Sequence, residues 1–265
     1  MVSDKTLVER RDGLVIVTLN RPEKKNALTS ENWNDLDEIF TEVELEASDR
    51  ALLLTGAGET FSAGADLSGQ GSAKGLTGRG LQLIVHEMRI VGQIIGRLQK
   101  LSKPTIAAVD GHAVGVALGL VMACDLVLAT DRAHFTEVFV KRGLALDGGA
   151  SWTLPRQVGL RRAKQMTFFG DAVDAATAYE WGLVNDIVPP NDLQTRALEW
   201  GRRLASGPTT SISLIKRMLD ASFGLSFDEA IEGEARAQHI AYTTDDMAEG
   251  IRAYLEGRDP TFTGR

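Results

Sequence analysis

Two short stretches, about fifty residues apart, combine small residues with helix-start patterns in a way that suits chemistry at a carbonyl oxygen. The first is Phe61-Ser62-Ala63-Gly64-Ala65-Asp66-Leu67. The second is Ala108-Val109-Asp110-Gly111-His112-Ala113-Val114-Gly115, continuing through Val116 and Gly119 to Cys124-Asp125. Each reads as a strand, a turn of small residues and the start of a helix. A helix start leaves backbone N–H groups unpaired and carries a partial positive charge. Small residues let a ligand come close to that backbone. Two such turns side by side hold one carbonyl oxygen between two N–H donors. That is an oxyanion hole, and it stabilises an enolate or a tetrahedral intermediate.

Few side chains compete for a proton-transfer role. Asp147 stands in Leu144-Ala145-Leu146-Asp147-Gly148-Gly149, where the two following glycines also suit a turn. Asp66 reads as a helix cap. Glu137 is a second acid in the same part of the chain as Asp147. His112 sits in the central turn, where a lone histidine has either a ligand or a structural partner. His86 falls on an amphipathic pattern, and Cys124 reads as packed core.

Composition narrows the classes. The chain has 265 residues, with 43% hydrophobic and 25% charged residues and a net charge of −7. These values fit a soluble globular protein. The basic residues are scattered, so no nucleic-acid footprint is expected. One cysteine permits no intrachain disulfide and fits a reducing compartment. The first ten residues are too charged for a secretory signal. The longest apolar run, Ala113 to Ala123, is too short to cross a bilayer. Scattered histidines give no metal-site spacing. The expectation is a cytoplasmic protein with no metal and no membrane span.

The elements that must position the two turns follow from periodicity. Gly13 to Asn20 alternates as a strand. Thr29 or Ser30 caps a helix starting near Glu31, with Trp33, Leu36, Phe40, Val43 and Ala47 on one face. Ala51 to Thr55 is a short strand. Ser68 to Gly80 contains five glycines and reads as a mobile loop. A helix over about 81–101 precedes a strand at Pro104 to Val109. Short strands are expected at 125–129, 133–135 and 183–188. Pro189-Pro190-Asn191-Asp192 is a break, after which only helices are predicted, at about 193–206, 209–221, 227–242 and 244–256. Strands alternating with helices, then a helical tail, indicate α/β followed by an all-helical region. The boundary divides the chain into 1–190 and 191–265.

Leu19-Asn20-Arg21-Pro22-Glu23 with Asn26-Ala27-Leu28 resembles the N-terminal signature of the crotonase superfamily, the enoyl-CoA hydratases and isomerases. The two small-residue stretches resemble its oxyanion-hole segments. Gly159 to Ala163, Gly182-Leu183-Val184 and Glu256 to Phe262 match further on, in family order across nearly the whole chain. The resemblance implies a spiral of ββα units with two roughly perpendicular sheets. Residues 191–265 would then be a helical trimerisation region, giving a homotrimer or a dimer of trimers. It also implies an acyl-CoA thioester substrate, coenzyme A being part of that substrate and no separate cofactor being needed. By position, the oxyanion donors are the N–H groups of Ala65 and Val116, each worth roughly 3 kcal/mol in the transition state. Arg21, Lys24 and Lys25 fall in the segment that lines the CoA site in relatives. Ala27, Ala63, Asp66 and Leu67 fall where adenine and pantetheine are contacted. His112 and Gly115 fall among the substrate-binding positions, Gly119 and Phe139 where they leave room for the acyl group, and His86 where it would line the acyl pocket. Phe262 and Arg265 resemble residues that reach the ligand of another subunit.

The chain departs from the family at the residues that hydrate a double bond. Aligned from Gly111, the first hydratase glutamate falls at Gly119; aligned from Phe135 and Gly143, the second falls at Phe139. Neither moves a proton. The usual second glycine of the central motif is Val116. Asp147, by contrast, matches the aspartate that dienoyl-CoA and ring-modifying isomerases use as acid or base and aryl-CoA dehalogenases use as nucleophile. The histidine of the dehalogenase pattern would fall near Gly92 and is absent. Glu137 is the runner-up acid, two residues before Phe139. The resemblance therefore implies an enolate-forming enzyme in which Asp147 shifts a double bond. The alternatives are a hydratase with a non-standard base and an acyl-CoA-binding protein without turnover.

Overall fold

The alternating segment Leu14–Leu19 forms a strand (β2) with Val15, Val17 and Leu19 buried. In the computed structural model, which describes residues 3–68 and 81–265, β2 pairs antiparallel with β1 (Thr6–Arg11) and parallel with β3 (Ala51–Gly56). Beyond β3 the sheet continues with β4 (Thr105–Val109), β6 (Leu126–Thr130) and β9 (Asp186–Val188), all parallel. Every residue of β4 is buried, as an interior parallel strand covered on both faces requires. β1 is an addition to the predicted elements. Its Glu9, Arg10 and Arg11 are exposed, and charge on an edge strand discourages pairing with another chain.

The period-two alternation of the sheet divides the core in two. Val15, Val17, Leu52, Leu54, Ala107 and Val109 point to one side. There they meet the apolar faces of α1 (Ser30–Leu45), α2 (Leu81–Lys100) and α3 (Val116–Ala123). Leu14, Ala51, Leu53, Ile106 and Ala108 point to the other side, against Leu193, Ala197 and Ala205 of a helix at Leu193–Ala205. Thr29 caps α1 in a capping box with Asn32. α3 is buried along its whole length, so it is an interior helix with no solvent face.

A second, three-stranded sheet joins β5 (His112–Val114), β7 (His134–Thr136) and β8 (Val173–Asp174). β7 lies one residue later than the predicted 133–135, and β8, only two residues long, has too little pattern to read. β9 is shorter than the predicted 183–188. Of the helices around it, α4 (Ala150–Val158) packs on α3 and on α5 (Leu160–Phe169), while α6 (Ala175–Glu180) packs on β7 and β8. The chain then forms α7 (the helix Leu193–Ala205), α8 (Thr209–Ala221), α9 (Phe227–Ala241) and α10 (Asp245–Glu256). These four agree with the predicted helices to within a residue.

Two polar contacts fasten the helical tail to the strands. Lys216 of α8 is buried and donates to Asp125 Oδ2 at 2.9 Å, while that oxygen also accepts from Thr105. Arg50 donates to the carbonyls of Gly207 and Phe262 and to Thr209 Oγ1. Asp246 accepts from the N–H groups of Thr263 and Gly264, so the last residues fold back on α10.

Candidate active site

The two small-residue turns lie side by side. Ser62 N–H donates to the His112 carbonyl at 2.8 Å, and Val114 N–H donates to the Ser62 carbonyl at 3.1 Å. On its far side the first turn is bridged to Leu28, whose N–H donates to Gly64 O and whose carbonyl accepts from Asp66 N–H. Those two bonds face Leu28, so by backbone alternation the N–H of Ala65, between them, points the other way. Gly64 makes the approach possible. Its φ is +88°, and a Cβ there would stand 2.6 Å from the Val114 carbonyl oxygen.

The first turn differs from expectation. Residues 61–65 are two isolated bridges held between neighbours, with no strand of their own. Small residues make few contacts that would fix a regular strand. Asp66 ends the turn by accepting from the N–H and hydroxyl of Ser68. The helix start and loop expected beyond it lie, from residue 69 to 80, outside the described residues.

The second turn leads directly into α3. Gly115 is its N-cap, with φ +55° and ψ −125°, a conformation that only glycine adopts freely. The Gly115 N–H donates to Thr136 O. Val116 is then the first helical residue, whose N–H has no acceptor within the helix. Ala65 and Val116 thus carry N–H groups on two turns locked against each other, which is the local structure an oxyanion hole needs.

At Gly119, where the resemblance would place a glutamate, the space beside the helix is filled by backbone. A Cβ on Gly119 would lie 2.8 Å from the Gly148 carbonyl oxygen. The 147–149 loop therefore rests on α3 where a longer side chain would begin. Val116 joins this contact, its Cγ2 being 3.3 Å from where a Cβ on Gly148 would stand. Phe139 is buried, its ring packed near Gly115, and forms an apolar wall.

Asp147 is both a turn residue and a free acid. Its carbonyl accepts from Ala150 N–H at 3.1 Å, as the turn reading requires. Its side chain caps nothing: Oδ1 is buried without a hydrogen-bond partner among the described residues. Burial raises this half-buried carboxyl to about 6.

Glu137 has a larger place in the site than the sequence indicates. It is 0% exposed, and both of its carboxyl oxygens are buried without a partner among the described residues. Burial first, then the charge of Asp147, push it up to about 8. The signal was its register, two residues after the buried Phe135 and hence on the same inward face.

The cationic segment is more committed than its charge suggests. Arg21 donates to the Ala27 carbonyl at 2.6 Å and to Asp66 Oδ2 at 2.9 Å. Hydrogen bonds from Ser68 and then from Arg21 hold Asp66 down at about 2. Arg21 therefore ties the segment at Ala27 to the first turn and is paired with Asp66 there. Lys24 and Lys25 are exposed. The Ala63 N–H donates to the Lys25 carbonyl, and Leu67 is exposed beside them. His112 belongs to this end: its ring is 5.6 Å from that of His134. Desolvation, then the charges of His134 and Lys25, lower its pKa. Phe262 is held by its own chain, with its carbonyl on Arg50 and its ring beside Gly250 of α10.

Other features fall outside this arrangement. A cavity of about 420 Å³ between α3, α4 and α8 is lined by Cys124, Trp152, Lys216 and Phe223 rather than by either carboxyl. Among the described residues, no group of three or more His, Cys, Asp or Glu side chains could hold a metal ion. No helix there is long and apolar enough to cross a membrane.

Comparison with known proteins gives the family and agrees with the fold. The sequence model described as enoyl-CoA hydratase/isomerase matches residues 9–265. The chain is 36% identical over 253 residues to the 1,2-epoxyphenylacetyl-CoA isomerase of Escherichia coli (strain K12), covering 96% of each. It is 31% identical to the short-chain-enoyl-CoA hydratase of Clostridium acetobutylicum, covering 97% of each. Its fold is similar to the crystal structure of enoyl-CoA hydratase from Bacillus anthracis, with a TM-score of 0.91, 29% identity, and coverage of 99% of this chain and 100% of that one.

Proposed function

The chain belongs to the enoyl-CoA hydratase/isomerase family, and from that premise we propose that it isomerises an acyl-CoA thioester through an enolate, with Asp147 moving the proton. The thioester oxygen would lie between the N–H groups of Ala65 and Val116. Asp147, as carboxylate, would take the proton from the carbon next to the carbonyl. The electron pair would pass to the oxygen as an enolate. The same proton would then return to a carbon further along the conjugated chain, leaving the double bond displaced and the carboxylate regenerated. A carboxyl raised to about 6 is mostly ionised at neutral pH yet basic enough to accept a carbon-bound proton.

The observation that carries this reading is the contact between Gly119 and the Gly148 carbonyl. It closes the place of the first hydratase glutamate and, by the same contact, brings the Asp147 loop onto the helix that begins at Val116. With Phe139 apolar, Asp147 has little competition for the proton. CoA would enter as part of the substrate, its phosphates met by Lys24 and Lys25 rather than by Arg21. Exposed apolar residues on α8, α9 and α10, among them Ile215, Leu219, Phe227 and Tyr254, support assembly into a homotrimer.

The test is double-bond migration between 3-enoyl-CoA and 2-enoyl-CoA thioesters, followed by NMR with wild type and Asp147→Asn side by side. The expected loss in the variant is roughly 10²–10⁴-fold. Undiminished migration would remove Asp147 from the mechanism. Hydration in place of migration would return the protein to hydratase chemistry with another base.

A further inference from the structure

The mechanism above uses one of two unpartnered carboxyls and leaves the deeper one, Glu137, without a task. Both oxygens of Glu137 are buried, and no described N–H, hydroxyl or cation meets them. An ionised carboxylate in such a place loses its hydration and receives nothing in return, so the neutral acid is the stable form.

The surroundings of Glu137 are specific. It follows β7, whose Thr136 carbonyl accepts from Gly115 N–H, so it stands beside the turn that carries Val116. The 138–142 turn follows it, and α5 with Gly170 packs on that turn. Among charged groups on these elements, Lys141 is paired with Asp171. Arg142, Arg161, Arg162 and Lys164 are exposed. His134 bonds to the Arg132 carbonyl on the far side of the small sheet. Asp147 is the charge that bears on Glu137.

We infer that Glu137 is a positioning residue: a buried neutral carboxylic acid behind Asp147, whose retained proton limits the pocket to one negative charge while the enolate forms. This rests on the proposed enolate mechanism for its catalytic consequence, but its protonation state does not. The enolate brings a negative charge into a pocket that already contains Asp147. When Glu137 also ionises, a second fixed anion opposes the enolate, and removing a proton from Glu137 disables the site from a distance. The raised value of about 8 places this event at the alkaline edge of the neutral range.

The experiment is a pH titration by NMR of the full-length protein carrying ¹³C at the glutamate and aspartate carboxyls. One glutamate resonance should titrate near 8. It should be missing in Glu137→Gln and should move to lower pH in Asp147→Asn, where the neighbouring charge is gone. The Asp147→Asn shift identifies Glu137 even if the Gln variant does not fold. In parallel, the wild-type isomerisation rate should fall about tenfold from one pH unit below the alkaline midpoint to one unit above it, and Glu137→Gln should lose that fall. Glutamates that all titrate in the ordinary carboxylate range would overturn the proposal. So would a high-titrating resonance unmoved by Asp147→Asn, or an alkaline fall that persists in Glu137→Gln. Absence of turnover on every enoyl-CoA, with the high titration present, would overturn the enolate mechanism and leave the buried acid established.

Discussion

The two N–H turns and the two carboxyls are built on opposite plans. Around Ala65 and Val116, nearly every neighbouring backbone group is paired: Gly64 O and Asp66 N–H to Leu28, Ser62 to His112 and Val114, Gly115 to Thr136. The donors are what remains once everything else is satisfied, and their direction is fixed by that pairing. Around Glu137 and Asp147 the pattern is reversed. The backbone is an ordinary turn, while three side-chain oxygens are buried with no hydrogen-bond partner among the described residues. A carbonyl oxygen needs a fixed position, which backbone supplies. Proton transfer needs an acid displaced from its usual pKa, which an unpartnered side chain supplies. The first plan suits any thioester enolate; in the proposed mechanism the second sets what becomes of it.

Beyond Asp147→Asn, the largest effect should come from breaking the rigid half. Gly64→Ala places a Cβ 2.6 Å from the Val114 oxygen at a φ of +88°, so the turns must separate. The rate should fall roughly 10²–10³-fold, as for loss of one oxyanion donor, with acyl-CoA binding weakened less. Steady-state kinetics beside a binding titration check it.

Stability should answer to the other half. The folded protein retains the Glu137 proton up to about 8, whereas an unfolded glutamate releases it near 4.5. Folding therefore takes up a proton between those values, and stability falls as pH rises through that window. Glu137→Gln should remove the fall and stabilise the protein by on the order of 5 kcal/mol at pH 9, with little change at pH 4. Urea unfolding at the two pH values measures this.

The junction of the two halves is open to a direct challenge. Gly119→Glu restores the family's first glutamate by sequence. Its Cβ meets the Gly148 carbonyl, so the Asp147 loop must shift. The expected outcome is a loss of about 1–3 kcal/mol in stability and a lower isomerisation rate, with no hydration gained. Efficient hydration by this variant would show that the loop yields easily. The smallest effect belongs to the exposed cations. Lys25→Ala should raise KM for the CoA thioester by no more than about fivefold, and less at high salt, since exposed charges contribute at most about 1 kcal/mol.

The parts of the molecule differ in how well the sequence foretells them. The four C-terminal helices were legible because each carries its own amphipathic period and, at Ser226 and Thr244, its own cap. The strand β1 was not, since an edge strand rich in Glu and Arg lacks the apolar alternation of a half-buried one. The donor turns were recognisable by their small residues, but residues 61–65 became a pair of bridges through neighbours that are distant in sequence. The pairing of Arg21 with Asp66 was not legible, because the two stand 45 residues apart. Asp147 was visible through the pattern around it. Glu137 was visible only as the lesser acid, because a sequence gives the register of a strand end more readily than the absence of a partner for its side chain.

The measurement that bears most directly on the central claim is the pH dependence of deuterium exchange at the carbon next to the thioester. Wild type and Asp147→Asn would be compared on one acyl-CoA in D₂O. A shared proton-transfer group at Asp147 predicts a wild-type rate that rises with pH through a midpoint of about 6 and a variant in which that rising limb is gone. A rate that keeps the same rising limb in Asp147→Asn would contradict it and place the base elsewhere in the molecule.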